Sequence, residues 1–348
     1  MKILLYISKF YSISIFKGMV EYLELNDISY RFYTSRKVRN VFPENWDKSK
    51  ILLTIDETKL FKPDFVLCPG NHVDFRIPGI KVQVFHGIGI EKPSHYIIRH
   101  FFDLYLTSGP VVTKKYLELQ KKYKYFDVKE TGWLKMDYII NYDMTNFKAD
   151  FDIPENKKII LYAPTFSNSM ESGSKMLDNI DKIVKSDEFW LVKFHEFMNK
   201  ELVEKFKSKA PKNLKIVETN DITPYLHVAD IMISDTSSVV YEFICLKKPV
   251  ITIDTISRKD KGIDVSTPQD LRDALDRILK NPDLLKLNIE KHILEVNPYL
   301  DGKTVERTFD VLREILKNGD LPRKGKPINF FRKFQIIYKS IFKKGYLK

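Results

Sequence analysis

The sequence is short of cysteine, of long apolar runs and of glycine-rich phosphate loops. Only two cysteines, Cys68 and Cys245, occur in 348 residues, both inside apolar stretches. Two cannot build a disulfide framework, so packing must hold the chain together, and a reducing compartment fits. No apolar run approaches the roughly 20 residues that cross a bilayer as a helix. The opening MKILLYISKFYS reads as a first strand and not as a secretory leader, because its apolar run is short and charge returns at once. Neither GxGxxG nor GxxxxGK[ST] occurs, which weighs against dinucleotide-binding and P-loop readings. None of the seven histidines stands at a convincing metal-ligand spacing from a carboxylate or cysteine, so no metal and no cofactor is expected.

Acid is missing from one place in particular. Residues 321–348 hold nine Lys and Arg and no Asp or Glu, which leaves only +3 of the net +12 for the first 320 residues. The body is therefore close to neutral, and a body-wide nucleic-acid surface is not expected. Within the tail, Phe330, Phe331, Phe334, Ile337, Tyr338, Ile341 and Phe342 fall on one helical stripe. Arg332, Lys333, Lys339, Lys343 and Lys344 fall around the other side. An apolar stripe flanked by unopposed cations suits a helix lying on an anionic lipid surface. The competing reading is a helix packed on its own protein.

What is present is a 43% apolar share, enough for a real core, and a length that suits two domains. Strand-like runs alternate with helical patterns, as in α/β folds. Strands are expected at 2–7, 30–34, 64–68, 82–85, 103–107, 158–162, 190–194, 214–217, 231–233 and 249–254. Helices are expected at 16–25, from Pro110, at 176–184, 222–228 and 268–279, and at 304–316. The polar stretch 141–156 reads as an interdomain linker. The expected divisions are 1–145, 150–302, a closing helix at 303–320 and the basic tail at 321–348.

Everything turns on residues 229–254, ADIMISDTSSVVYEFICLKKPVITID, which read as strand, tight turn, helix, strand. Ser234, Asp235, Thr236, Ser237 and Ser238 form the turn. A helix N-terminus at the carboxyl end of a parallel strand, with hydroxyls beside it, is a phosphate cradle without a glycine loop. A well-capped core helix that binds nothing is the plainer reading. Further polar residues end apolar strands: His86 before Gly87, Thr165 after Tyr162, and His195 after Phe194. His86 is suited to proton transfer near neutrality and His195 to donating to phosphate oxygens. Each is equally open to a backbone-bonded structural role. His95 and His100 read as a solvated helix face. Two doubly wound domains would put such strand ends at a cleft between them.

Six segments then carry a family resemblance. HGIGIEK at 86–92, YAPTF at 162–166, KFH at 193–195, SDTSSVVYEF at 234–243 with LKKPVI at 246–251, and DGKTVER at 301–307 resemble, in order, the CDP-glycerol glycerophosphotransferases of teichoic acid and capsule synthesis. The resemblance implies a GT-B fold of two Rossmann-like domains in a compact version, and a peripheral enzyme on the cytoplasmic side of the membrane. His86 would activate the acceptor hydroxyl. Thr165, His195, Ser237 and Ser238 would hold the diphosphate, with Ser234, Asp235, Thr236, Glu242, Asp301, Gly302 and Lys303 around the nucleotide. The donor would be CDP-glycerol or a related CDP-polyol. The acceptor would be a lipid-linked glycan or polyol phosphate, and CMP would leave. The chain departs from the family where Ser167 and Asn168 stand for an expected Arg, where Glu196 stands for Pro, and where 255–261 is short and charged. These departures leave the transferred polyol or sugar open. The alternatives are another GT-B enzyme, either a nucleotide-sugar glycosyltransferase or a UDP-sugar 2-epimerase, and a non-enzymatic membrane-binding protein.

Overall fold

The computed structural model describes all residues except 92, 146, 148–150, 167–169, 196, 320, 322–324 and 343–348, and it leaves out the side chains of 339–342. The chain divides into two units, Met1–Asn141 with Val296–Lys348, and Tyr142–Glu295. The linker expectation meets the first division near Asn141. The second division differs: the chain returns to the first unit at Val296, ahead of the expected boundary at 302.

The first unit carries β1 Lys2–Ile7, β2 Ser29–Thr34, β3 Ile51–Leu52, β4 Phe65–Cys68, β5 Ile80–Gln83, β6 Leu104–Thr107 and β7 Asp127–Glu130. The second carries β8 Lys158–Tyr162, β9 Glu188–Val192, β10 Leu214–Ile216, β11 Ile231–Ser234, β12 Val250–Ile253 and β13 Ile263–Val265. The sheet orders are β3-β2-β1-β4-β5-β6-β7 and β10-β9-β8-β11-β12-β13. Every pairing is parallel, with registers such as Ile3↔Phe65 and Ile233↔Tyr162. Strand order reverses at β1/β4 in one sheet and at β8/β11 in the other, which is the doubly wound arrangement. Strands covered on both faces need continuous apolar runs. Accordingly β4, β11 and β12 are buried along their whole length.

The differences from expectation have local causes. The strand expected at 82–85 stops at Gln83, because Phe85 takes a left-handed conformation with φ 58°. Residues 176–184 form two short helices, Gly173–Leu177 and Ile180–Ile183. The strands β3, β7 and β13 were not legible: β3 is only two residues long, and β7 and β13 are three to four residues of mixed polarity. Lys248 donates to the carbonyls of Leu226, His227 and Ala229 at the end of the helix Thr223–Val228.

The return of the chain is fixed by polar contacts within the first unit. Asn297, fully buried, accepts from the Trp133 N–H at 2.9 Å. The carboxylate of Asp137 accepts from the backbone N–H groups of Thr304 and Val305 at 2.9 and 2.7 Å, capping the helix Thr304–Asn318 from a distant part of the sequence. Burial pushes the Asp137 carboxyl above its ordinary range against the opposing pull of those bonds.

The last helix, Phe330–Phe342, is partly docked. Lys326 pairs with Asp103 at 2.8 Å, Asn329 donates to the Arg99 carbonyl, Lys333 lies over the Phe75 ring, and Ile336 is only 6% exposed. The opposite side keeps Phe330, Phe331 and Phe334 at 76, 72 and 65% exposed, with Tyr338 also exposed. The reading of a helix packed on its own protein thus holds for one face, and the other face is exposed. Lys343 and Lys344 lie outside the described residues, as do the side chains of Lys339 and Phe342. Among the described residues no helix is long and apolar enough to cross a membrane.

Candidate active site

In the second unit, the loops after β8 and β11 meet at the reversal of strand order, where ligands of such sheets sit. Asp235 joins them. Its carboxylate is fully buried and accepts from the Thr165 N–H at 2.9 and 3.0 Å, the Ser172 N–H at 3.1 Å and the Ser172 hydroxyl at 3.0 Å. Burial pushes its pKa up to about 6, and the donated hydrogen bonds pull the other way. Ser234 donates its hydroxyl to the Ala163 carbonyl at 2.6 Å, and Thr236 accepts from the Ile256 N–H at 3.2 Å.

This revises part of the sequence expectation. Ser234, Asp235 and Thr236 are buried and spend their side chains on the protein, and so shape the turn. Thr165 is buried with its N–H held by Asp235, and Glu242 is buried on the following helix. Ser237 and Ser238 are half-buried. Ser238 occupies the N-cap of the helix Val239–Cys245 without a side-chain capping bond. Capping therefore does not explain the Ser238 hydroxyl. The helix has only seven residues, so its dipole is a smaller asset than the sequence suggests.

His195 is exposed at the end of the loop after β9. Its Nδ1 accepts from the Phe197 N–H at 3.2 Å, which assigns the proton of a neutral ring to Nε2. The Phe166 ring packs against it at 4.3 Å between centroids. A cavity of about 760 Å³ adjoins it, lined by Phe194, Met198, Val217, Thr219 and Asn220 among others. Ser167, Asn168 and Glu196, the points of departure from the family pattern, lie outside the described residues, as does Lys92.

In the first unit, His86 follows Phe85 at the carboxyl edge of the sheet. The left-handed backbone of Phe85 costs a β-carbon-bearing residue about 1–2 kcal/mol. Packing offsets this: the Phe85 ring meets Tyr116 and Tyr105, and its carbonyl accepts from the Trp133 indole N–H at 3.2 Å. Trp133 is in turn held by Asn297, so the returning segment braces the turn that presents His86. Strain held by such bracing is found at functional positions. The His86 ring lies between Tyr11 at 5.2 Å and His95 at 4.9 Å.

Asp301, Gly302 and Lys303 belong to the first unit, and the contacts there are structural. Asp301 binds Arg307 at 2.8 Å and accepts from the Lys303 N–H. Gly302 supplies a left-handed turn with φ 69°. The amides that follow are taken by Asp137. These contacts dock the return segment. His95 and His100 do not form a helix face either. His95 sits on a 3₁₀ turn beside His86, and His100 bonds Tyr125 at 2.8 Å. The sequence carried no signal for Ser172, Tyr11 or Asp137, because each acts through a partner distant in the chain. Among the described residues no group of three His, Cys, Asp or Glu is placed to hold a metal ion.

Two wholly parallel, doubly wound sheets with polar loops at their carboxyl edges define a GT-B-like protein. The Wall Teichoic Acid Polymerase TagF shares the fold, with a TM-score of 0.68 over 92% of this chain and 90% of that one at 16% identity. MnaA of S. aureus, solved with UDP, gives 0.63 over 94% of this chain and 99% of that one at 17% identity. The model of the CDP-Glycerol:Poly(glycerophosphate) glycerophosphotransferase family matches residues 94–315, and the chain belongs to that family. His86 lies just before the matched range. The teichoic acid glycerol-phosphate primase of Bacillus spizizenii is 28% identical over 251 residues, 65% of this chain and 64% of the relative. The teichoic acid ribitol-phosphate polymerase TarL of Staphylococcus aureus is 26% identical over 298 residues, 71% of this chain and 51% of the relative. The chain thus spans about two thirds or less of the length of these relatives.

Proposed function

We propose that the protein transfers glycerol phosphate, or a related polyol phosphate, from a CDP-activated donor to a hydroxyl of a teichoic-acid-like acceptor. The acceptor oxygen attacks the phosphorus that bears the polyol, the bond from that phosphorus to the CMP oxygen breaks, and CMP leaves. His86 takes the proton of the attacking hydroxyl. His195, through Nε2–H, and the Ser237 and Ser238 hydroxyls donate to the diphosphate oxygens as charge moves onto them. The cavity beside His195 receives the nucleoside. The observation that carries this reading is the Asp235 bracket, which fixes the loop after β8 against the serine turn at the reversal of the second sheet.

The direct test is CMP release with CDP-glycerol, CDP-ribitol and UDP-sugars offered side by side. Turnover of a CDP-polyol supports the proposal. Turnover or epimerisation of UDP-sugars alone would replace it with the other GT-B chemistry. Ser237→Ala and Ser238→Ala should each weaken donor binding by about 1.5–3 kcal/mol, the worth of a hydrogen bond to a charged group. Calorimetry with CDP-glycerol checks this, and unchanged affinity in both variants would reduce the serine turn to architecture.

The exposed stripe of the last helix fits an anionic membrane, where a lipid-linked acceptor would be met at the cytoplasmic face. Phe330, Phe331 and Phe334 together with Arg332 supply the contact. Burying one phenylalanine is worth about 1.5–3 kcal/mol, and each cation near an anionic surface about 1 kcal/mol. Phe331→Asp with Phe334→Asp should abolish flotation with phosphatidylglycerol vesicles while CMP release to a soluble acceptor continues. Undiminished flotation of that variant would remove the helix from the membrane role.

A further inference from the structure

The first turn of the last helix is fixed to the body by its own capping residue. Asn329 precedes Phe330–Phe342. Its side-chain oxygen accepts from the Arg332 N–H at 3.2 Å, and its carbonyl accepts from the Lys333 N–H at 2.9 Å. The other end of the same amide donates to the Arg99 carbonyl at 3.4 Å. Three residues earlier, Lys326 donates to the Phe101 carbonyl at 3.1 Å and pairs with Asp103. One side chain therefore caps the helix and ties it to the segment 97–101 at once.

The consequence is a meeting of like charges. Arg332, in the first turn of the helix, lies close enough to Arg99 for its charge to act on it, and both residues are half-buried. Burial lowers the Arg99 pKa, the Arg332 charge lowers it further, and the Tyr116 and Tyr105 phenols oppose the shift. Arg99 spends one N–H on the Ile97 carbonyl at 3.4 Å. Among the described residues no Asp or Glu pairs with either guanidinium. Asp103, the acid of this segment, is held by Lys326 and by the Lys81 N–H. Two cations kept together without an acid are unfavourable, and an anion between them removes the conflict.

We propose that Arg99 and Arg332 form a binding site for a phosphodiester, and that its occupant is the headgroup phosphate of an anionic phospholipid; this rests on reading the last helix as a membrane contact. Planar guanidinium forks suit phosphate because paired N–H groups reach two oxygens at once, which an ammonium does not do. The rim selects lipid over a free polyol phosphate. Ile97, whose carbonyl holds Arg99, is exposed, and so are Ile328, Phe330 and Phe331, the chain neighbours of Asn329 and Arg332. A soluble phosphate gains nothing from these apolar side chains, whereas a phospholipid buries them beneath its headgroup. Arg99 belongs to the body, so a headgroup held by both arginines couples helix and body to the bilayer in one orientation.

The test is the affinity of the full chain for phosphatidylglycerol vesicles. Arg99→Gln should weaken it about tenfold or more, the loss expected when hydrogen bonds to a charged group are removed. Arg99→Lys and Arg332→Lys keep the charge and lose the fork, and each should still lose roughly threefold or more. These conservative variants also serve should Arg99→Gln fail to fold. Wild-type affinity in both lysine variants would show a diffuse surface charge and overturn the proposal. Calorimetry with glycerophosphoglycerol, a soluble diester, separates the two sources of phosphate. Binding of that diester that is lost in Arg99→Lys, with vesicle affinity unchanged, overturns the lipid assignment. A wild-type protein that ignores the vesicles removes the membrane reading itself, while vesicle binding indifferent to Arg99 and Arg332 removes this site alone.

Discussion

His86→Ala is expected to lower the turnover of CDP-glycerol by about 10²–10⁴-fold, the usual cost of losing a general base, with donor affinity close to the wild-type value. The split is expected because the donor-holding groups, His195, Ser237 and Ser238, all belong to the second unit, whereas His86 belongs to the first. The imidazole is presented by a left-handed phenylalanine whose carbonyl is held by Trp133, and Trp133 by Asn297. Removing the side chain beyond Cβ leaves that scaffold in place. The measurement is CMP release at saturating acceptor together with calorimetric donor binding. A folded His86→Ala protein with near-normal turnover would take His86 out of the mechanism.

The second large effect is expected at Asp235, in both affinity and stability. Asp235→Ala leaves two buried backbone N–H groups and one hydroxyl without their acceptor, and each orphaned group costs about 1–3 kcal/mol. Against this, the variant no longer buries a carboxylate that resists ionisation, a relief of roughly 3 kcal/mol near neutral pH from the shift to about 6. Three such groups together cost about 3–9 kcal/mol, which equals or exceeds the relief, so stability should fall. Donor affinity should fall more than about tenfold, because the loop carrying Thr165 is no longer pinned beside Ser237 and Ser238. Unchanged donor affinity in Asp235→Ala would show that the bracket does not serve the donor. The pH dependence has a definite sign. A carboxyl whose folded pKa is raised contributes stability that is present below its unfolded pKa and lost as pH rises through about 6. Asp235→Asn lacks that slope and should gain on the wild type above pH 6. Urea unfolding at pH 5 and pH 8 reads the difference.

The candidate site was legible where a single segment carries both shape and chemistry. SDTSSVVYEF announces strand, turn and helix in ten residues, and the half-buried Ser237 and Ser238 stand on that turn. It was misread where a polar side chain inside such a segment is consumed by the fold. Asp235 and Ser237 look alike in sequence as phosphate-turn residues. Only the loop after β8, folded down from some seventy residues earlier in the chain, turns Asp235 into a bracket. The same holds for DGKTVER. Its acid, glycine and lysine suggest a ligand turn, yet Arg307, Asn141 and Asp137 make it a docking point for the returning chain.

The sequence by itself determined the α/β class, because apolar runs alternate with amphipathic helices throughout. It also determined the main strands, because two-sided burial demands uninterrupted hydrophobic stretches. It determined the basic, aromatic tail, because charge and apolar periodicity are local properties. The tertiary structure decided the rest. It returned the chain to the first unit at Val296, split the tail helix into a docked face at Ile336 and an exposed one at Phe331, and set His95 against His86. Each of these depends on which distant surface a residue meets. Local propensity and spacing do not encode that; it follows from packing the two sheets and their loops to completion.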